Sequence, residues 1–154
     1  MFMEPFHSRF PEIAQSEARS IHLRDEGSPT PAGDYLLMES YCTDPKCDCR
    51  RVILTVVNVH TGETAATIGF GFDPDDPMRG PYLDPINRQS SDAEDVLGLV
   101  AGLALDAAYV SRLEHHYRLM KGGEPERGTE RAPERPWWKH RPTKPKRGRP
   151  RRRK

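Results

Sequence analysis

Arg51-Val52-Ile53-Leu54-Thr55-Val56-Val57-Asn58-Val59-His60 is the stretch whose reading decides the fold. Its run of β-branched and apolar residues predicts a strand, apolar on both faces. Thr61-Gly62-Glu63 then turns the chain. In Thr64–Phe72, Ala66, Ile68, Phe70 and Phe72 alternate with small or polar residues, as a half-buried hairpin partner should. Upstream, Asp34–Tyr41 reads as another strand, and Glu17–Arg24 as a shorter one with Ile21 and Leu23 on one face. Pro29, Pro31 and Gly33 punctuate the chain between them. Residues 1–16 show no clean period and are expected to form an irregular N-terminal arm.

Downstream, Asp73–Asn87 is rich in proline, glycine and acid and reads as loop. Ser91-Asp92-Ala93-Glu94 has the form of a capping box, in which Ser91 and Glu94 satisfy each other's end of the first helical turn. Leu97, Val100, Ala101 and Leu105 supply the apolar stripe of the helix that follows. Asp106 is placed to cap a second helix running to Lys121, and Gly122-Gly123 to end it. On that helix Tyr109, Leu113, His116, Tyr117 and Met120 share a face, with His115 pointing away. The fold class is therefore α+β: over residues 17–121, a short antiparallel β-meander with a cysteine knuckle, covered by two C-terminal helices.

Composition bounds what such a chain can do. With 154 residues and 35% hydrophobic content, it holds one ordinary domain only if most of it folds. No stretch reaches the apolar length that spans a bilayer, and Met1–Phe10 lacks the apolar core of a signal peptide. Three cysteines within eight residues do not resemble a secreted disulfide framework. A cytoplasmic location with no membrane partner is expected. Charge is segregated: residues 1–120 hold 10 Lys+Arg against 19 Asp+Glu, net −9, and residues 121–154 hold 14 against 4, net +10. Residues 122–154 have Trp137 and Trp138 as their only large apolar side chains, in a proline-rich setting, and are expected to be a disordered basic tail.

The cysteines have the spacing C-x4-C-x-C in Tyr41-Cys42-Thr43-Asp44-Pro45-Lys46-Cys47-Asp48-Cys49-Arg50, a link between two predicted strands. Thiols gathered in a tight loop at the mouth of a hairpin suit Zn2+, which takes four N or S ligands in a tetrahedron. Arg50 and Arg51 beside them would favour thiolate over thiol. Cys42, Cys47 and Cys49 give three ligands; His116 is the first choice for a fourth, with His60 and His22 behind it. The bland alternative is three reduced cysteines packed as small apolar residues, with His116 a hydrogen-bonded core histidine. A disulfide between Cys47 and Cys49 would be strained by the single residue between them, which weighs against redox chemistry.

At this block the chain resembles a group of small uncharacterised bacterial proteins. The resemblance is carried by Gly33-Asp34-Tyr35, by Tyr41-Cys42 through Cys47-Asp48-Cys49-Arg50-Arg51-Val52, by Gly80-Pro81-Tyr82-Leu83-Asp84-Pro85 with Gln89-Ser90, and by His116-Tyr117. It covers roughly residues 12 to 121 and implies a shared domain in which the cysteine cluster matters. It implies no activity. Some relatives of that group end in a SEC-C motif, a zinc-binding tail rich in cysteine; this chain has Arg and Lys there instead, so no inherited zinc tail is expected.

Enzyme readings find little support. Asp73, Asp75 and Asp76 could offer oxygen to a hard cation, but the flanking prolines favour a solvated turn. Cys42 or Cys49 with His116 could pair as nucleophile and base, yet no third, orienting group can be named. There is no phosphate loop, G-x-S-x-G or H-E-x-x-H.

The tail is more explicit. From Lys139 onward ten cations meet no acid. Lys144 to Arg153 resembles an AT-hook, the short DNA-binding element of high-mobility-group chromatin proteins, whose R-G-R-P core is matched by Arg147, Gly148, Arg149 and Pro150. The resemblance implies that Arg147 and Arg149 lie along the floor of the A·T minor groove, whose narrow width and negative potential draw arginine. Gly148 would let the backbone approach and Pro150 would hold an extended turn, while Lys144, Lys146, Arg151, Arg152 and Arg153 take phosphates. Trp137 and Trp138 could instead stack on unpaired bases. The expected partner is A·T-rich duplex DNA, ahead of nonspecific nucleic acid including RNA, and then of acidic protein or lipid. The alternative from another class is a zinc-stabilised protein-interaction module whose tail is only a tether.

Overall fold

A computed structural model describes residues 3–24, 27 and 29–123 of the chain. Its elements are β1 (Met3–Pro5), α1 (Phe6–Arg9), α2 (Pro11–Glu17), β2 (Arg19–Leu23), β3 (Gly33–Cys42), β4 (Arg51–Asn58), β5 (Thr64–Gly71), β6 (Gly80–Leu83), α3 (Ala93–Leu103) and α4 (Ala107–Met120). The strands form one antiparallel sheet in the order β1-β3-β4-β5-β6. β2 also pairs with β3, on residues Gly33–Leu37, whereas β1 pairs with Ser40–Cys42. The α+β meander expected from the sequence is thus present, with the β3–β4–β5 hairpins at its centre.

β4 departs from the two-sided reading. Val52, Leu54 and Val56 are buried, whereas Ile53 and Val57 are only half-buried and Val59 lies beyond the strand, exposed. The helices cover one face of the sheet, so only alternate residues enter the core. Each buried aliphatic contributes roughly 1.5–3 kcal/mol. They meet Tyr35, Leu37 and Tyr41 of β3, Ala66, Ile68 and Phe70 of β5, and Ala93, Val96 and Val100 of α3. α4 adds Tyr109, Leu113, Leu119 and Met120.

The N-terminal residues differ from the irregular arm expected of residues 1–16. β1 extends the sheet, and Phe6 is buried in the core, stacked on the His116 ring with centroids 4.0 Å apart. Pro11 sits in the first turn of α2, where its missing N–H costs nothing. α1 and α2 have four and seven residues, too short to show a helical period in sequence.

Residues 73–87 likewise hold a strand, β6, inside what reads as loop. Its Tyr82 pairs across to Gly69. The following turn is organised by Gln89, whose side-chain amide accepts from the Thr67 N–H and donates to the Thr67 carbonyl, both at 2.9 Å, as a neighbouring strand would. Asp84 accepts from the Asn87 N–H at 2.9 Å, and Ser90 Oγ donates to the Ala65 carbonyl.

At the helices, Asp106 caps α4 as expected, accepting from the N–H groups of Ala108 and Tyr109. Gly122, at φ 87°, follows its end. The capping box at α3 does not form. Asp92 stands at the N-cap without a side-chain cap, and Ser91 Oγ donates to Asp92 Oδ1. Leu105 lies past the end of α3 and is 87% exposed; of the expected stripe Val100 is buried and Leu97 packs against the core, joined by Ala93 and Val96. Among the described residues no single helix is long and apolar enough to cross a membrane.

Candidate metal centre

The antiparallel turn from β3 to β4 brings the three thiols together. Cys42 ends β3 and is buried at 1% exposure; Cys47 and Cys49 follow in the connection and are half-buried. Asp44 shapes the loop, its Oδ1 accepting from the Lys46 N–H at 2.9 Å and its carbonyl from the Cys47 N–H at 3.2 Å. All three Sγ atoms lie within 4.8 Å of one another. Thiolates bound tetrahedrally at about 2.3 Å from zinc sit roughly 3.8 Å apart, so closure on an ion requires a contraction of at most about 1 Å. The three cysteines can hold a metal ion.

Their protons are unevenly held. The Cys47 thiol is lowered, first by the hydrogen bond from the Cys49 thiol, then by the Cys49 backbone, with smaller contributions from Cys42 and the Lys121 charge. Cys49 is pushed up to about 12 by burial and by its neighbours' sulfurs. Of these two thiols, Cys47 therefore gives up its proton more readily than Cys49.

The cation that acts on Cys47 is Lys121, which the sequence reading did not single out. Its ammonium donates to the carbonyls of Asp44 and Cys47, both at 2.8 Å, and lies 5.7 Å from the centre of the Tyr117 ring. Arg51, expected to serve the thiols, instead donates to Asp76 Oδ2 from Nε at 3.0 Å and from Nη2 at 2.5 Å. Tyr117 closes the helix side, its phenol raised by burial first and then by Cys49 and Cys47.

His116 is not brought to the thiols. It is 1% exposed, with Nδ1 at 2.6 Å from Glu39 Oε2 and Nε2 at 3.1 Å from Glu17 Oε2. Both ring nitrogens are thus occupied by carboxylates, which leaves no lone pair for a metal in this arrangement. The reason is the edge of the sheet: Glu39 occupies the inner face of β3 one alternation before Tyr41, and α2 carries Glu17 across to meet the helix. His22 and His60 also stand apart from the cysteines, both against Asp34. Among the described residues no His, Asp or Glu joins the three-cysteine group.

In the acidic loop, Asp73 Oδ1 accepts from the Asp75 N–H and Asp76 Oδ1 from the Met78 N–H. These are turn contacts. The tail residues Lys144, Lys146, Arg147, Gly148, Arg149, Pro150, Arg151, Arg152 and Arg153, and Trp137 and Trp138, lie outside the described residues.

No protein-family model, curated protein or solved structure matches the chain. The resemblance at the cysteine block rests on the quoted residues alone.

Proposed function

We propose that the chain is a non-enzymatic nucleic-acid-binding protein, built as a metal-held α+β platform that carries a basic tail to A·T-rich DNA. The observation that carries the platform half is the gathering of Cys42, Cys47 and Cys49 Sγ within 4.8 Å. Soft thiolates select thiophilic ions, and Zn2+ suits a thiolate set with no redox partner. Three protein sulfurs leave the fourth position to an exogenous donor such as water. Although three protein ligands are one short of a closed structural set, the ion's part in this reading is to tie the end of β3 to the entry of β4, under the end of α4.

The tail half is supported by Arg147-Gly148-Arg149-Pro150 within a run of ten cations free of acid. Cytoplasmic residence is part of the same reading. The test titrates the full chain, Arg147→Ala and Arg149→Ala against A·T-rich duplex, G·C-rich duplex and RNA. Preference for the A·T duplex, lost in both variants, is the expected result. Equal affinity for all three, unchanged in selectivity by either substitution, would reduce the tail to a generic polycation.

A further inference from the structure

A cavity of about 330 Å³ opens beside β3, lined by Phe6, Ala14, Leu37 and Met38, with Glu17, Glu39 and His116 at its polar end. It lies where the pairing of the sheet edge breaks: β2 stops at Leu37 and β1 begins at Ser40, leaving Met38 and Glu39 with neither. At about 30 Å³ for each water-sized group, it has room for roughly ten heavy atoms. Its size falls at the lower end of small-molecule sites.

The polar end has a definite sense. Both imidazole nitrogens of His116 are spent on carboxylates. Arg112 is spent on Glu17, with Nε 3.5 Å from Oε2 and Nη1 donating to the backbone carbonyl at 3.1 Å. The single O–H of Tyr41 donates to Glu39 Oε2 at 2.7 Å, with the Leu113 carbonyl as a second, more distant acceptor at 3.2 Å. The donors of His116 and Tyr41 are therefore used, whereas Oε1 of Glu17 and Oε1 of Glu39 accept no hydrogen bond from the described residues; Tyr109 Oη and Arg19 Nε are buried without a partner but do not line the cavity. The Glu39 side chain is only 9% exposed, so its charge acts across a poorly hydrated wall. His7, at the rim, is exposed and belongs to the mouth.

We infer that this cavity binds a small primary ammonium with an apolar body, its N–H groups taken by the free oxygens of Glu17 and Glu39. An ammonium is a donor without acceptor capacity, which matches the two free carboxylate oxygens at the polar end. An anion would meet two carboxylates at the polar end, with donors offered only by the exposed Gln15 and His7 of the lining. The site is separate from the thiols and independent of the metal reading.

The probe is 2-phenylethylammonium, compared by calorimetric titration of the full chain with 2-phenylethanol and 3-phenylpropanoate. The expected result is saturable one-to-one binding of the ammonium, at least tenfold tighter than the alcohol, and none of the carboxylate. Glu17→Gln, at a part-exposed position, should weaken the ammonium about tenfold with the fold retained by circular dichroism, and Ala14→Trp should abolish binding by filling the cavity. Equal binding of alcohol and ammonium, tighter binding of the carboxylate, no saturable binding of the ammonium, or an unchanged affinity in Glu17→Gln would each overturn the inference.

Discussion

Lys121 Nζ donates to the carbonyl oxygen of Cys47 at 2.8 Å, fastening the C-terminal end of α4 to the loop that presents the thiols. A cation at a helix C-terminus also meets the negative end of the helix dipole. The cysteine loop is thus held from two sides, by the sheet through Cys42 and by the helix through Lys121.

Lys121→Met keeps the length of the side chain and removes both charge-assisted bonds. With about 1.5–3 kcal/mol for a hydrogen bond to a charged group, roughly 2 kcal/mol of stability should be lost in a denaturant titration. Metal affinity, measured by competition with a chelator, should fall about tenfold, as for other groups that orient ligands without touching the ion. A variant with unaltered affinity would separate the helix from the metal loop.

His116→Ala should keep its metal and lose stability. It removes the imidazole from the buried Glu39 carboxylate and leaves it the Tyr41 hydroxyl, a change that should cost about 3 kcal/mol, the low end for a broken buried pair. Chemical denaturation together with metal analysis of the folded variant checks both halves. Loss of metal from a variant that still folds would restore His116 as a ligand.

Two glycines of β5 should differ in their tolerance of a methyl group. A Cβ at Gly71 would stand 2.5 Å from the backbone carbonyl of Met78, which cannot move without the loop that holds Asp76. At Gly69 a Cβ would overlap the tip of the Tyr82 ring, and that ring can swing outward. Gly71→Ala should therefore cost about 2–3 kcal/mol and Gly69→Ala about 1 kcal/mol, read from unfolding midpoints.

Salt should govern the tail. If about six phosphates are neutralised, log affinity for duplex should fall against log salt with a slope near −5. Filter-binding or anisotropy titrations over a salt series measure it. A slope near zero would exclude phosphate contact as the source of binding.

The legibility of the fold followed the length of its signals. β4 was readable as a strand from its unbroken β-branched, apolar run, though not which face is buried, β5 from its alternation, and Asp106 because a cap is a local event. β1, α1 and α2 were not, since three to seven residues carry no period and their place is set by Phe6 reaching the core. β6 was masked by Gly80 and Pro81, residues that punctuate loops but are tolerated on an edge strand such as this one. At the site, C-x4-C-x-C was local and legible. The helix face correctly placed His116 in the core, yet which group it met there depended on Glu17 and Glu39, distant in sequence. Lys121 gave no signal, because a lysine at the end of a helix is ordinary until the loop it grips is known.

The three thiols are placed to hold one ion. Full-length protein purified without a histidine tag should contain one zinc per chain by elemental analysis, and its cysteines should resist a thiol reagent until a chelator is added. Substoichiometric zinc, with all three thiols reacting freely in the native protein, would contradict it.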